Sequence, residues 1–478
     1  MAPTGAGTRM SATESLLWRI ERDPVLRSTV TAVSILDRAP DWARLRRRML
    51  QASVRIPRLR QVVVEPPFGL GSPSWQRADD FDLDYHLRRV QLPRPTSIGA
   101  LLDFAAHEAM GEFDRARPLW EFTVVDHVGE GAALIQKFHH AVTDGVGGMR
   151  LALEMLDTES RPSRKVAPIS SLVDEPSDGT GGRPSAVEQV AEAGRRVVST
   201  SLGLAATALK ASRTPLESAL SAADSARWGA RLVAPVAEPC SPIMLSRGIM
   251  LSFAAFDVDF ARLRESGRRG HGSLNDAFIT AVVAGLRRYH EAHGAPLPSL
   301  RMTLPISIRS EQDPVGGNRF TPVRFEIPLG QPRPADMVPV ISGLVREWRT
   351  GPALSLTDTL AIALNGLPTQ AVTAVFGSML KNVDFIATNV PGLPVRAYLA
   401  GAELLRQYAF APPSGASVNV ALLSHVGHCC IGVNIDRAAI PDTEVFVACL
   451  EEGFEEVMTL AGAPKRAGSG VAEAGSLS

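Results

Sequence analysis

The run Ala132-Ala133-Leu134-Ile135-Gln136-Lys137-Phe138 ends on two adjacent histidines, His139 and His140, and Asp144, Gly145, Gly147 and Gly148 follow at once. A short apolar run closed by turn-forming residues reads as a buried strand feeding a tight turn. Successive side chains of a strand point to opposite faces, so only one of the two imidazoles can face a given cleft. A neutral imidazole, with an unperturbed pKa of about 6.5, is well suited to lifting a proton off a hydroxyl near neutral pH. Asp144 stands beside a glycine that permits a sharp backbone turn, and can hold the loop through a buried ionic or hydrogen-bonded contact. A His-His dipeptide alone is more often a surface feature or a satisfied core pair. The complete His-His-x-x-x-Asp-Gly pattern at a strand end is far more restrictive.

At 478 residues the chain exceeds the size at which one core usually stops growing, so two domains are expected. Fifty basic residues balance fifty acidic ones, which removes any global field toward nucleic acid or an acidic membrane. Any membrane contact must then be local. The four cysteines are too few and too irregularly spaced for a disulfide framework or a zinc ribbon, which fits a reducing cytoplasm. The N-terminus lacks the basic, apolar and small-residue succession of a secretory signal. Thr359 to Lys381 carries no charge before the lysine and is long enough to span a bilayer. Asn365, Pro368 and Gln370 argue instead for two helices meeting at Gly366-Leu367-Pro368, packed or lying at an interface.

Along the chain, Ser11-Ala12-Thr13-Glu14 has the chemistry of a helix start, Val30 to Leu36 reads as a strand, and Asp41 to Val54 as an arginine-rich amphipathic helix with a solvated face. His86, with no partner at metal-ligand spacing, is expected to pack structurally. Pro118-Leu119-Trp120-Glu121 opens a strand expected beside the one that ends at His139. Breaker-rich sequence follows Thr158, then alanine-rich helical stretches over Ala186 to Lys210 and Glu217 to Val233. A strand is expected over Met250 to Val258. Ser273-Leu274-Asn275-Asp276 carries cap chemistry before an apolar helix reaching Tyr289. Further strands are expected over Met302 to Arg309 and Val418 to His425, with a last helix over Thr443 to Leu460.

The histidine pattern resembles the active-site motif of the chloramphenicol-acetyltransferase-like superfamily of CoA-dependent acyltransferases. Several motifs, in order, carry a resemblance to one branch over roughly Ser11 to Leu460. They are Pro57-Arg58-Leu59-Arg60, Pro118-Leu119-Trp120-Glu121, the Asn275-Asp276 pair, Gly316-Gly317-Asn318, Thr388-Asn389-Val390-Pro391-Gly392 and Val418-Asn419-Val420. That branch is the bacterial wax ester synthase/diacylglycerol acyltransferases. Pro242 to Gly248 is a weak match, and His425 with Cys429-Cys430 stands where tyrosine and small residues are expected.

The resemblance implies an α/β fold of two such domains, each with a mixed sheet, sharing an active-site channel at their junction. The division is a disordered stretch 1–10, an N-terminal domain 11–157 carrying the histidines, a joining segment 158–243, a C-terminal domain 244–461 and a disordered tail 462–478. It implies transfer of a fatty acyl group from acyl-CoA, a co-substrate and not a resident cofactor, to diacylglycerol or a long-chain alcohol, with no metal. His140 would be the general base, His139 a neighbour fixing the backbone, Asp144 the residue that shapes the loop and Gly145 the turn. Asn275 and Asp276 would face the channel, with Asn275 and Asn389 as candidate oxyanion donors. A cytoplasmic protein resting on the inner membrane face or a lipid droplet follows. A condensation-type or polyketide-associated enzyme using a carrier-bound donor, and a non-catalytic lipid-binding protein, are the alternatives.

Overall fold

The computed structural model describes residues 8–66, 72–143, 148, 152, 154–160, 234, 236–307, 320–330, 333–350, 364, 365 and 367–462. The first half contains β1 (Thr8–Arg9), α1 (Ala12–Ile20), β2 (Thr29–Leu36), α2 (Trp42–Arg55), β3 (Gln61–Val64), β4 (Ser74–Arg77) and α3 (Leu83–His86). It continues with β5 (Leu87–Thr96), α4 (Ile98–Met110), β6 (Trp120–Val128), β7 (Gly131–His139) and β8 (Leu156–Asp157). The second half contains β9 (Leu251–Asp259), α5 (Phe260–Arg269), α6 (Leu274–Ala292), β10 (Ser299–Ser307), β11 (Phe320–Pro328), α7 (Pro334–Thr350) and α8 (Thr369–Leu380). β12 (Phe385–Val390), β13 (Tyr398–Leu399), β14 (Ala402–Phe410), β15 (Val418–His425), β16 (His428–Asp436) and α9 (Thr443–Met458) complete it.

Local chemistry sets the element starts. Ser11 and Glu14 close a reciprocal capping box on α1, Asp41 caps α2 through the Arg44 N–H, and Ser273 with Asp276 caps α6. The amphipathic α2 buries Leu45, Met49 and Ala52, while Arg44 and Arg48 pair with Asp157 and Arg46 with Asp84. Three of its arginines are thereby spent on carboxylates of neighbouring elements.

Among the described residues one large sheet runs β5-β6-β7-β2-β14-β13-β8, the other large sheet β11-β10-β12-β15-β16-β9, and a small third sheet β1-β4-β3. β7 lies between β6 and β2, as the Pro118-Leu119-Trp120-Glu121 opening led us to expect, with Trp120 opposite Phe138 and Thr29 opposite His139. Each large sheet mixes parallel and antiparallel neighbours: β5 with β6 in the first, β10 with β12 and β12 with β15 in the second, run parallel.

The sheets do not follow the division into 11–157 and 244–461. β14, from the far side of that boundary, pairs with β2 from Phe410 opposite Thr31 to Leu404 opposite Leu36, with a bulge between Leu404 and Arg406. The physical reason is visible in the packing: Phe410 and Tyr408 join Val33 and Ile135 of the first sheet to Phe253 and Cys430 of the second in one core. Phe253 and Phe410 stack with ring centroids 4.1 Å apart. Residues 8–10, expected to be disordered, are a second correction: β1 pairs with β4, and the buried Met10 packs with Trp18 and Trp75.

The segment from Thr359 is described from 364 apart from residue 366. Its second helix, α8, packs Val372 against Leu16, Ile20 and Leu26, and Arg19 of α1 donates to the Asn365 and Leu367 carbonyls. Among the described residues no helix is long and apolar enough to cross a membrane. The helices expected over 186–210 and 217–233, Gly316-Gly317-Asn318 and the tail beyond 462 lie outside the described residues.

Candidate active site

β7 delivers the histidine pair to the edge of the first domain's core. Alternate residues Lys137 and His139 are buried on the side covered by α1 and the loop around Phe113. His139 is fully buried, with the Trp18 ring edge-on at 5.7 Å and that of Phe113 at 6.3 Å. Its Nδ1 accepts the Ala141 N–H at 2.9 Å, so the ring proton resides on Nε2 and is donated to Glu21 Oε2 at 2.8 Å. His140 opens the turn after the strand. It is only half-buried, and its N–H donates to the Ser28 carbonyl at 2.8 Å. The two imidazoles thus occupy different surroundings, one fully buried in the core and the other half-buried at the turn. Asp144 and Gly145 lie outside the described residues.

Burial pushes the Glu21 carboxyl up, but His139, the Ser28 N–H at 3.2 Å and Arg115 outweigh that and hold it below its ordinary value. Burial holds the Lys137 ammonium below the usual lysine range, with Glu121 3.8 Å away acting in the opposite sense. Glu21 was not among the residues singled out from the sequence. One signal was available: an acid at a helix C-terminus, where the macrodipole disfavours negative charge, needs another reason to be there.

The second domain brings two expected residues together. Asn389, near the end of β12, donates through Nδ2 to Oδ1 of Asn275 in the first turn of α6, 3.3 Å away, and both are half-buried. Asp276 takes the capping role that its position also offered: its Oδ2 accepts from both the N–H (2.8 Å) and the hydroxyl (2.9 Å) of Ser273 at the start of the helix. A third-position acid reaches back to the cap more cheaply than it can turn outward. Beyond Asn389 the chain turns through Gly392, where a Cβ would come within 1.8 Å of the Ser424 carbonyl, and Leu393 enters the same core as Phe138. His425 bridges the carbonyls of Leu393 (3.2 Å) and Leu404 (2.9 Å), tying this turn to β14.

His86 is structural, as expected. It is buried between the Phe81 and Trp120 rings, with Nδ1 donating to the Trp120 carbonyl at 2.6 Å. Among the described residues no cluster of three or more histidine, cysteine or acidic side chains has the arrangement of a metal site.

The wax ester synthase/diacylglycerol acyltransferase catalytic domain matches residues 10–278, and the C-terminal domain of the same family matches 316–458. A Mycobacterium tuberculosis protein provisionally named a diacylglycerol O-acyltransferase is 36% identical over 475 residues, covering 97% of this chain and 95% of its own. The O-acyltransferase WSD of Acinetobacter baylyi is 26% identical over 439 residues, covering 88% and 90%. Among solved structures, the wax ester synthase/diacylglycerol acyltransferase of Marinobacter aquaeolei VT8 superposes with a TM-score of 0.61 at 20% identity, over 95% of this chain and all of that one. The first condensation domain of the calcium-dependent antibiotic synthetase gives 0.59 at 14% identity, over 97% and 98%. At such identities these two carry the fold alone, and that fold is the mixed α/β, chloramphenicol-acetyltransferase-like one.

Proposed function

The chain belongs to the wax ester synthase/diacylglycerol acyltransferase family, and from that premise we propose that it moves a fatty acyl group from acyl-CoA to the hydroxyl of diacylglycerol, a long-chain alcohol or both. The observation that carries the site assignment is the unequal fate of the two histidines. His139 is fully buried against Trp18 and Phe113, whereas His140 is half-buried on the turn that leaves β7.

His140 is the general base. Its imidazole takes the proton of the alcohol as the oxygen attacks the thioester carbonyl, and returns it to the sulfur as the C–S bond breaks and CoA departs. With both substrates held across one imidazole, proximity supplies much of the acceleration and no acyl-enzyme forms. Asn275 and Asn389 are the donors to the oxyanion that develops on the carbonyl. The acceptor is poorly soluble in water and the balanced net charge exerts no long-range pull, so the cytoplasmic chain meets its lipid through local contact with a membrane face or a droplet.

The test is CoA release from palmitoyl-CoA with diacylglycerol or hexadecanol supplied separately. Alcohol-dependent release should fall by about two to four orders of magnitude in His140→Ala, and the better alcohol names the acceptor class. Release no faster than hydrolysis with either alcohol would sink the reading.

A further inference from the structure

We propose that Glu21 is a positioning residue for His140, gripping the backbone on both sides of it from the end of α1. The inference rests on His140 being the base proposed above. One carboxylate has two arms. Oε2 accepts from His139 Nε2 at 2.8 Å, and the same ring takes the Ala141 N–H on Nδ1 at 2.9 Å. Oε1 accepts from the Ser28 N–H at 3.2 Å, and the Ser28 carbonyl takes the His140 N–H at 2.8 Å. Residues 139, 140 and 141 are therefore tied to a single side chain 118 positions earlier in the sequence.

Helix stability does not explain an acid here. Glu21 is the C-cap of α1, where a negative charge is disfavoured by the carbonyl end of the helix, yet its side chain is only 11% exposed. The groups facing it are His139 from β7, the Ser28 N–H from the approach to β2 and, at longer range, Arg115. All act to keep it ionised. An ionised carboxylate is acceptor-only on both oxygens, which is what two N–H donors require. Glutamine keeps the shape but offers one acceptor oxygen and two amide protons. It must abandon the Ser28 N–H, or force His139 to surrender its Nε2 proton and so confront the Ala141 N–H. Either way His140 loses a tether, and a displacement of the order of an ångström costs about a hundredfold in rate.

The experiment compares full-length wild type with Glu21→Gln in kinetics, thermal melting and 15N-histidine NMR. The expected result is a roughly ten- to hundredfold drop in kcat, with KM for acyl-CoA within about twofold, at a temperature where both chains are fully folded. In the wild-type spectrum, the histidine whose signal disappears in His139→Asn should carry its proton on Nε2, shifted downfield by the carboxylate. In Glu21→Gln that proton moves upfield or is lost, and the His140 ring signals shift. A folded Glu21→Gln with wild-type kcat, or with unmoved His140 signals, overturns the proposal. So does a loss of activity that merely tracks unfolding. If Glu21→Gln does not fold, the wild-type spectrum decides: a His139 protonated on Nδ1 overturns the proposal, and the downfield Nε2 proton upholds it. Should the wild type release no CoA with either alcohol, the acyl-transfer reading fails, while the spectra still decide the clamp.

Discussion

His86 is fully buried in the first half of the chain. Burial pulls its pKa down to about 4, against a smaller opposing effect of the Trp120 carbonyl, and its Nε2 has no hydrogen-bond partner among the described residues. The unfolded chain takes up a proton near pH 6.5, whereas the folded chain does so only near 4. Between those values the unfolded state binds more protons, so stability falls as the pH drops through 6.5 and the loss is complete near 4, about 3 kcal/mol in all. Asparagine at this position places an amide donor near the Nδ1 site but does not titrate. His86→Asn should start less stable at pH 7, having lost its stacking on Phe81 and Trp120, and should then lose roughly 3 kcal/mol less than wild type on acidification. Urea midpoints at pH 7, 6, 5 and 4 measure this, and equal slopes would contradict it.

α6 and α9 cross at a contact that admits no side chain. A Cβ on Gly453 would lie 2.4 Å from the Gly285 nitrogen and 2.6 Å from the Ala281 carbonyl oxygen; one on Gly285 would lie 2.7 Å from the Leu450 Cα. These are backbone atoms, so no rotamer change relieves them. Gly453→Ala should cost about 1–3 kcal/mol by prising the helices apart. Because Asn275 sits in the first turn of α6, it should also disturb the pair with Asn389 and lower kcat. Gly343 is the contrast, exposed on α7 with nothing within 4 Å of its Cβ position. Gly343→Ala should stabilise by about 0.5–1 kcal/mol and leave turnover unchanged. Thermal melts of both variants with parallel assays check the pair; a neutral Gly453→Ala would refute the close crossing.

At the scale of the whole molecule, β14 makes the two sheets one structure. It pairs with β2 by backbone bonds while Tyr408 donates to Asp257 on β9 at 3.0 Å and Arg406 pairs with the same carboxylate. α1 is also bound to the second half, through Ser15 to Asn365 at 2.7 Å and Arg19 to Thr369 at 3.1 Å. Removing the second half would leave β2 with an unpaired edge and strip the cover from Val33. The halves should therefore open together: native-state hydrogen exchange in β2 and in β15 should report opening free energies within about 1 kcal/mol of each other. A first half that exchanges globally while β15 and β16 stay protected would show the halves to be independent.

Short-range chemistry was legible from residue order alone. The Ser11-to-Glu14 and Ser273-to-Asp276 boxes, the apolar run ending at His139 and the opening at Pro118 involve residues a few positions apart, where spacing dictates geometry. The reaction class was legible too, through the order of motifs along the chain. Folding decided the rest, because strand alternation says which face a residue occupies but not which strand lies beside it. Nothing local to Ala402–Phe410 selects β2 over a neighbour in its own half; the shared core with Val33, Phe253 and Cys430 does. Nothing local to Glu21 points to a histidine 118 residues away.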